Sequence, residues 1–183
     1  MPMVREAIVE IPSPSTPLPW SRPPTDCAAL SVDGAFMQED GSAAAVMILR
    51  CHDGSVIFAA YRCIFNCNDA LEVELHAIMQ GMALALQHCP LPIVVQSDSS
   101  VAVAAMTGES LSRSACGHLV AEIWHHMEAR EFVPSKIKRE QNRVAHRLAL
   151  YSRTEFTTVV WLGRSPPCIE ELVPLDCNPI HME

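Results

Sequence analysis

The sequence predicts an α/β domain, and three observations predict it. Three short apolar runs joined by tight turns come first. Hydrophobic residues then recur at helical spacing, alternating with two further strand-like runs. Prolines punctuate both ends of this pattern. Its 183 residues suffice for one domain of about 120 to 150 residues with flanking segments. We divide the chain into a proline-rich tail or linker (1–26), the folded domain (27–154) and an irregular C-terminal extension (155–183).

Seven prolines fall between residues 2 and 24, a density at which neither helix nor sheet hydrogen bonding persists. In that segment Trp20 is the one side chain suited to dock on the domain that follows. The first strand runs from Ala29 to Phe36 (ALSVDGAF) and places a carboxylate, Asp33, where a buried strand ordinarily has none. An unpaired carboxylate there costs several kcal/mol. Asp33 therefore either opens a turn with Gly34 at an edge or binds a partner or cation. Residues 43–50 and 56–63 make the second and third strands, with Asp53-Gly54 as the hairpin turn between them.

The period then changes to 3.6. Leu71, Leu75, Ile78, Met82 and Leu86 form one stripe of a helix over 70–88, which Asp69 caps with Glu72 at the third position. Glu74 lies on a different face from Glu72. Pro90 and Pro92 end this helix, and a buried strand, Ile93 to Asp98, stops at an acid. Helices follow over 99–106 and about 114–129. A fifth strand covers 132–138, with Pro134 marking an edge or a bulge, and a last helix spans 142–153 with Val144, Leu148 and Tyr151 inward.

Composition excludes several classes. No apolar run reaches the roughly 18 residues of a membrane span, and no basic-then-apolar leader opens the chain, which reads as soluble and non-secreted, nuclear or cytoplasmic by default. The eight cysteines (27, 51, 63, 67, 89, 116, 168 and 177) read as free thiols. Cys63 and Cys67 lack a second ligand pair for zinc. The net charge of −8 is unevenly spread. Of 13 bases and 21 acids, residues 130–153 hold seven bases against two acids, leaving six against nineteen elsewhere. One basic face on an acidic protein suits phosphate contact, and a solvated helix face has the same composition.

Four stretches carry a family resemblance: Val32-Asp33-Gly34-Ala35-Phe36, Leu71-Glu72-Val73-Glu74-Leu75-His76-Ala77, Val95-Gln96-Ser97-Asp98-Ser99, and Arg139 through Ala149 (REQNRVAHRLA). In this order the chain resembles the ribonuclease H-like family, specifically the type 1-like domain of plant proteins and retroelements. The resemblance implies a five-stranded mixed sheet flanked by helices, with the first strand central. It also implies a site where Asp33, Glu74 and Asp98 hold two Mg²⁺ ions, with Mn²⁺ as the other candidate. The implied activity is hydrolysis of the RNA strand of an RNA–DNA hybrid.

Two places depart from the family pattern. The fourth acid, expected in an Ala-Asp-x-Leu-Ala stretch, is replaced in Ala145-His146-Arg147-Leu148-Ala149. His146 then reads as a metal ligand or proton carrier, or as a half-exposed helix residue; an imidazole suits Mn²⁺ or Zn²⁺ better than Mg²⁺. A histidine expected ahead of the last helix is replaced by Lys138-Arg139-Glu140. Between Thr107 and Cys116, where some relatives carry a basic protrusion, Arg113 is the lone base. Contact with nucleic acid thus falls to Lys136, Lys138, Arg139, Arg143 and Arg147. The alternative function is a catalytically weak or inactive nucleic-acid-binding or interaction module on the same fold. A 3′–5′ exonuclease would need Asp-x-Glu on the first strand, and Asp33-Gly34-Ala35 does not supply it.

Overall fold

The computed structural model describes residues 17–108 and 116–177. The first sixteen residues of the tail, most of the 107–116 loop and His181 lie outside the described residues.

Strands β1 (Ala28–Phe36), β2 (Ala43–Cys51) and β3 (Val56–Ile64) form an antiparallel meander. The β2–β3 turn is the expected one: Gly54 has a φ of +91°, and Asp53 accepts hydrogen bonds from the Ser55 backbone and hydroxyl. Helix α1 (Ala70–His88) crosses to β4 (Ile93–Ser97), which pairs parallel with β1. Helices α2 (Ser100–Met106) and α3 (Gly117–Ala129) lead to β5 (Phe132–Lys136), parallel to β4. A 3₁₀ turn (Arg139–Asn142) then enters α4 (Arg143–Ser152).

The sheet has six strands rather than five, in the order β5-β4-β1-β2-β3-β6. The sixth, β6 (Thr158–Leu162), comes from the C-terminal segment read as irregular, and two short helices follow it, α5 (Pro167–Glu170) and α6 (Leu172–Asp176). Residues 158–162 (TVVWL) do alternate in burial, but too briefly to stand out between flanking polar residues. Pairing with the otherwise open edge of β3 makes this segment a strand.

Two cores result. On one face α1, backed by α3, covers Leu30, Val32, Met47, Leu49 and Phe58. On the other, α4 and the C-terminal helices cover Val46, Ile48, Ala59 and Tyr61 with Val144, Leu148, Ile169 and Val173. Tyr151 does not point inward as the helical stripe suggested. It is exposed at the rim, edge-on to Tyr61, and Ala145, Ala149 and Ser152 take the inward positions. Helix α1 lies so close to β1 that a β-carbon on Gly34 would meet Val73 Cγ1 at 2.5 Å. The absence of a side chain at Gly34 thus sets the depth at which the neighbouring Glu74 sits.

The segments flanking the domain are tied together. Trp20 is buried; its indole N–H donates to Gln96 Oε1 (2.8 Å), and its backbone N–H donates to the Asp176 carbonyl (3.0 Å). Its ring stacks on the Arg50 guanidinium, 4.0 Å from the ring centroid. Arg50 is 1% exposed and donates to Asp176 Oδ2 (3.3 Å) and to the Val173 carbonyl (3.0 Å). The other Asp176 oxygen accepts from Arg143 (3.2 Å) on α4. Breaking a buried ion pair leaves the remaining charge uncompensated. Asp176→Asn is therefore expected to cost about 3 kcal/mol or more in a urea unfolding midpoint analysis. A loss below about 1 kcal/mol, the size of a surface pair, would show that the clamp does not hold α4 in place.

Candidate active site

Parallel pairing of β1 and β4 runs from Ala28 opposite Ile93 to Ser31 opposite Gln96. Two steps further along the same register stand Asp33 and Asp98. Asp98 therefore lies just past the C-terminal end of β4, and Asp33 stands beside it on β1 where the parallel pairing has ended, at the edge where open α/β sheets form crevices. Alternation along β1 turns Asp33 toward the α4 face, together with Ser31 and Ala35. There His146 Nδ1 lies 3.2 Å from Asp33 Oδ2. Glu74 arrives from α1, on the opposite face, and is held by Ser97, whose hydroxyl donates to Glu74 Oε1 at 2.6 Å.

The electrostatics follow from this convergence. Glu74 is almost fully buried, and burial pushes its pKa up to about 7; Asp33 and Asp98 add to the rise, and the Ser97 hydrogen bond opposes it. Burial likewise raises the Asp33 pKa, with repulsion from Asp98 in the same direction, against the Gly34 N–H and His146. Among the described residues no lysine or arginine forms an ion pair with Asp33, Glu74 or Asp98. Three acids thus share one corner, in which Asp33 has the half-exposed His146 imidazole and the Gly34 N–H as partners and Glu74 has the Ser97 hydroxyl.

These carboxylates fit a divalent cation in donor type, since Mg²⁺ and Mn²⁺ take hard oxygen ligands. Their spacing is another matter. Among the described residues no three histidine, cysteine, aspartate or glutamate side chains stand close enough to hold one ion. In this arrangement Glu74 Oε1 is turned to Ser97, and Asp33 Oδ2 to His146.

Two site residues escaped the sequence reading. Ser97 precedes Asp98 on β4 and so faces the other side of the sheet, toward α1; strand alternation alone was a signal for it. Asn142 is buried, and its Nδ2 donates to the Val32 carbonyl (2.8 Å), fixing the start of α4 against the strand one residue before Asp33. Its pairing, over 110 residues apart in sequence, left no local trace.

Of the basic residues, Lys136, Lys138, Arg139 and Arg147 are exposed, and Arg143 is half-buried in its ion pair with Asp176. Arg139 lies in the 3₁₀ turn, and Arg143 and Arg147 follow one turn apart on α4. Lys136 Nζ donates to the Ile137 carbonyl (2.9 Å). All eight cysteines are free.

An antiparallel meander feeding a parallel pair, with helices on both faces and acids at the parallel strand ends, defines a ribonuclease H-like fold. A family model described as reverse transcriptase-like matches residues 31–152, and the chain belongs to that family. Solved structures with this fold include ribonuclease H1 from the archaeon Halobacterium salinarum, 18% identical with a TM-score of 0.65 over 70% of this chain and 98% of that one. The N-terminal ribonuclease H domain of a Mycobacterium tuberculosis protein is 17% identical, with a TM-score of 0.65 over 71% of this chain and 95% of that one. LC11-RNase H1, solved in complex with an RNA/DNA hybrid, is 19% identical with a TM-score of 0.61 over 68% and 94%. At these identities the likeness is one of fold. No curated protein sequence matches the chain.

The carboxylate corner makes stability depend on pH. Glu74 titrates near 7 when folded, against 4.5 for the free side chain, so the folded state binds the extra proton between those values. The resulting stability is fully present below pH 4.5 and is lost as pH rises through about 7. In metal-free buffer, Glu74→Gln removes this loss. The variant is expected to gain on the native protein by roughly 3 kcal/mol between pH 4.5 and 8, read from denaturant unfolding. Parallel stability curves for the two proteins would contradict the assignment.

Proposed function

We propose that this protein binds RNA–DNA hybrids and cleaves the RNA strand in a divalent-metal-dependent reaction at Asp33, Glu74 and Asp98. One observation carries the reading: three carboxylates meet at one corner of the sheet with no lysine or arginine paired to them among the described residues, and burial, reinforced by Asp33 and Asp98, pushes Glu74 up to about 7. A fold gains nothing in stability from such a corner, and a bound cation relieves it. Membership of the reverse transcriptase-like family and the hybrid-bound LC11-RNase H1 fold support the substrate class.

Asp33 and Asp98 offer oxygens from the strand ends, and Glu74 offers Oε2 while Ser97 holds Oε1. Mg²⁺ held there, or Mn²⁺ in its place, would supply positive charge to activate water and stabilise a departing 3′ oxygen. With His146 Nδ1 turned to Asp33, Nε2 is the ring nitrogen left to exchange a proton at the mouth of the site. Lys136, Lys138, Arg139 and Arg147 contact phosphates, with Arg143 set behind them by Asp176. Recognition of the 2′-hydroxyl across the shallow minor groove selects RNA.

A second reading, binding without cleavage, is favoured by a specific observation. His146 stands beside Asp33 in place of a fourth acid, and no three donors close on one point among the described residues.

Cleavage of a labelled hybrid in Mg²⁺ and in Mn²⁺ separates the two. The native protein is expected to cleave, with Mn²⁺ the better metal, and Asp98→Asn to fall by about 100-fold or more. His146→Asp is expected to raise the Mg²⁺-supported rate. Hybrid binding with no cleavage in either metal would establish the second reading.

A further inference from the structure

A groove of about 600 Å³ opens beside the carboxylate corner, between α4 and the C-terminal helices. It is lined by Arg139, Arg143, Arg147 and His146, with Leu150 and Leu172 as its apolar wall and Glu140 as its one acid. We propose that this groove takes single-stranded nucleic acid, an unpaired RNA flank running out from a hybrid seated at Asp33 and Asp98. The inference rests on the hybrid-binding reading and deepens it: the arginines already given to nucleic-acid phosphates hold, together with the leucine wall, the unpaired continuation of the RNA strand.

Two features of the lining point to a single strand. The first is charge: Arg139 and Arg147, with Arg143 behind them in its pair with Asp176, line the groove against one lining carboxylate on a protein whose net charge is −8. Arg143 and Arg147 are one turn apart, a rise of about 6 Å along the helix, a spacing of the order of that between neighbouring phosphates. Arg143 is held in place by Asp176, and its buried Nε lacks an acceptor. The second feature is the wall. Leu150 is 49% exposed, and Leu172 belongs to the extension that forms the groove's far side. A duplex presents its phosphates outward and keeps its bases stacked inside, so it would neutralise the arginines and leave both leucines wet. An unpaired strand offers both chemistries, phosphates for the arginines and base faces for the leucines. His146 sits at the end of the groove nearest Asp33, so a strand leaving the corner enters the groove directly.

The test uses the full chain in metal-free buffer, where no cleavage occurs. Affinities are measured for a blunt RNA–DNA hybrid, for the same hybrid with unpaired RNA on both flanks, for a single-stranded RNA alone and for inorganic polyphosphate. The flanked hybrid is expected to bind about tenfold tighter than the blunt one, on the order of burying one leucine side chain against a base face. Leu150→Ser should abolish that advantage, and Arg147→Ala should lower the salt slope of flanked-hybrid binding by about one. Circular dichroism of each variant verifies the fold. Equal affinity for blunt and flanked hybrids overturns the inference, as does an advantage that survives Leu150→Ser. Polyphosphate binding as tight as the single strand's also overturns it, because the leucine wall then contributes nothing. If the blunt hybrid does not bind at all, the hybrid-binding reading fails. The groove assignment then stands only if single-stranded RNA binds in a Leu150-dependent manner, and falls otherwise.

Discussion

The structure depends on a carboxylate placed in the central strand of its sheet. Asp33 can lie there because α4 brings His146 over it and the backbone N–H of Gly34 bonds to it. Each of those supports draws on others. Helix α4 is pinned at its start by Asn142 on the Val32 carbonyl and behind by the Arg143–Asp176 pair. Gly34 also admits α1 close enough to deliver Glu74. Burying one charge thus organises both faces of the sheet, and the elements that satisfy Asp33 are the same ones that crowd other acids against it.

The crowding is a choice of geometry over stability. Among the described residues, Glu74 has a serine hydroxyl as its side-chain hydrogen-bond partner and Asp98 lacks an ion-pair partner. The nearby arginines are not spent on neutralising these acids. Arg50 and Arg143 are both committed to Asp176, on the far side of α4. Positive charge that would quench the corner is thereby kept out of it and arrayed along its flank.

The sequence made much of the frame legible because local rules and tertiary packing agree there. The β1–β3 meander, the capped α1 and the parallel β4 follow from alternation, an Asp-Gly turn and a change of period, and Asp33 was conspicuous as a charge in an apolar strand. What escaped depends on pairings distant in sequence. The strand at 158–162 exists because β3 had an open edge. Tyr151 obeys the helical period yet faces out, because small residues at 145 and 149 let α4 lie close to β2. Ser97 and Asn142 act on the site through hydrogen bonds to partners 23 and 110 residues away, which no window of sequence contains. The Asp176 clamp is of the same kind, joining three segments that have no pattern in common.

The hydrogen bond from the Trp20 backbone to Asp176 places the domain's entry and exit at a single point. Chain leading into residue 20 and chain leaving residue 176 therefore depart from one spot, and the fold between them is a closed loop of polypeptide. A longer protein could carry this unit as an insertion without parting its flanking segments. A pull applied to those two ends would load the Trp20 tether first, before any strand of the sheet.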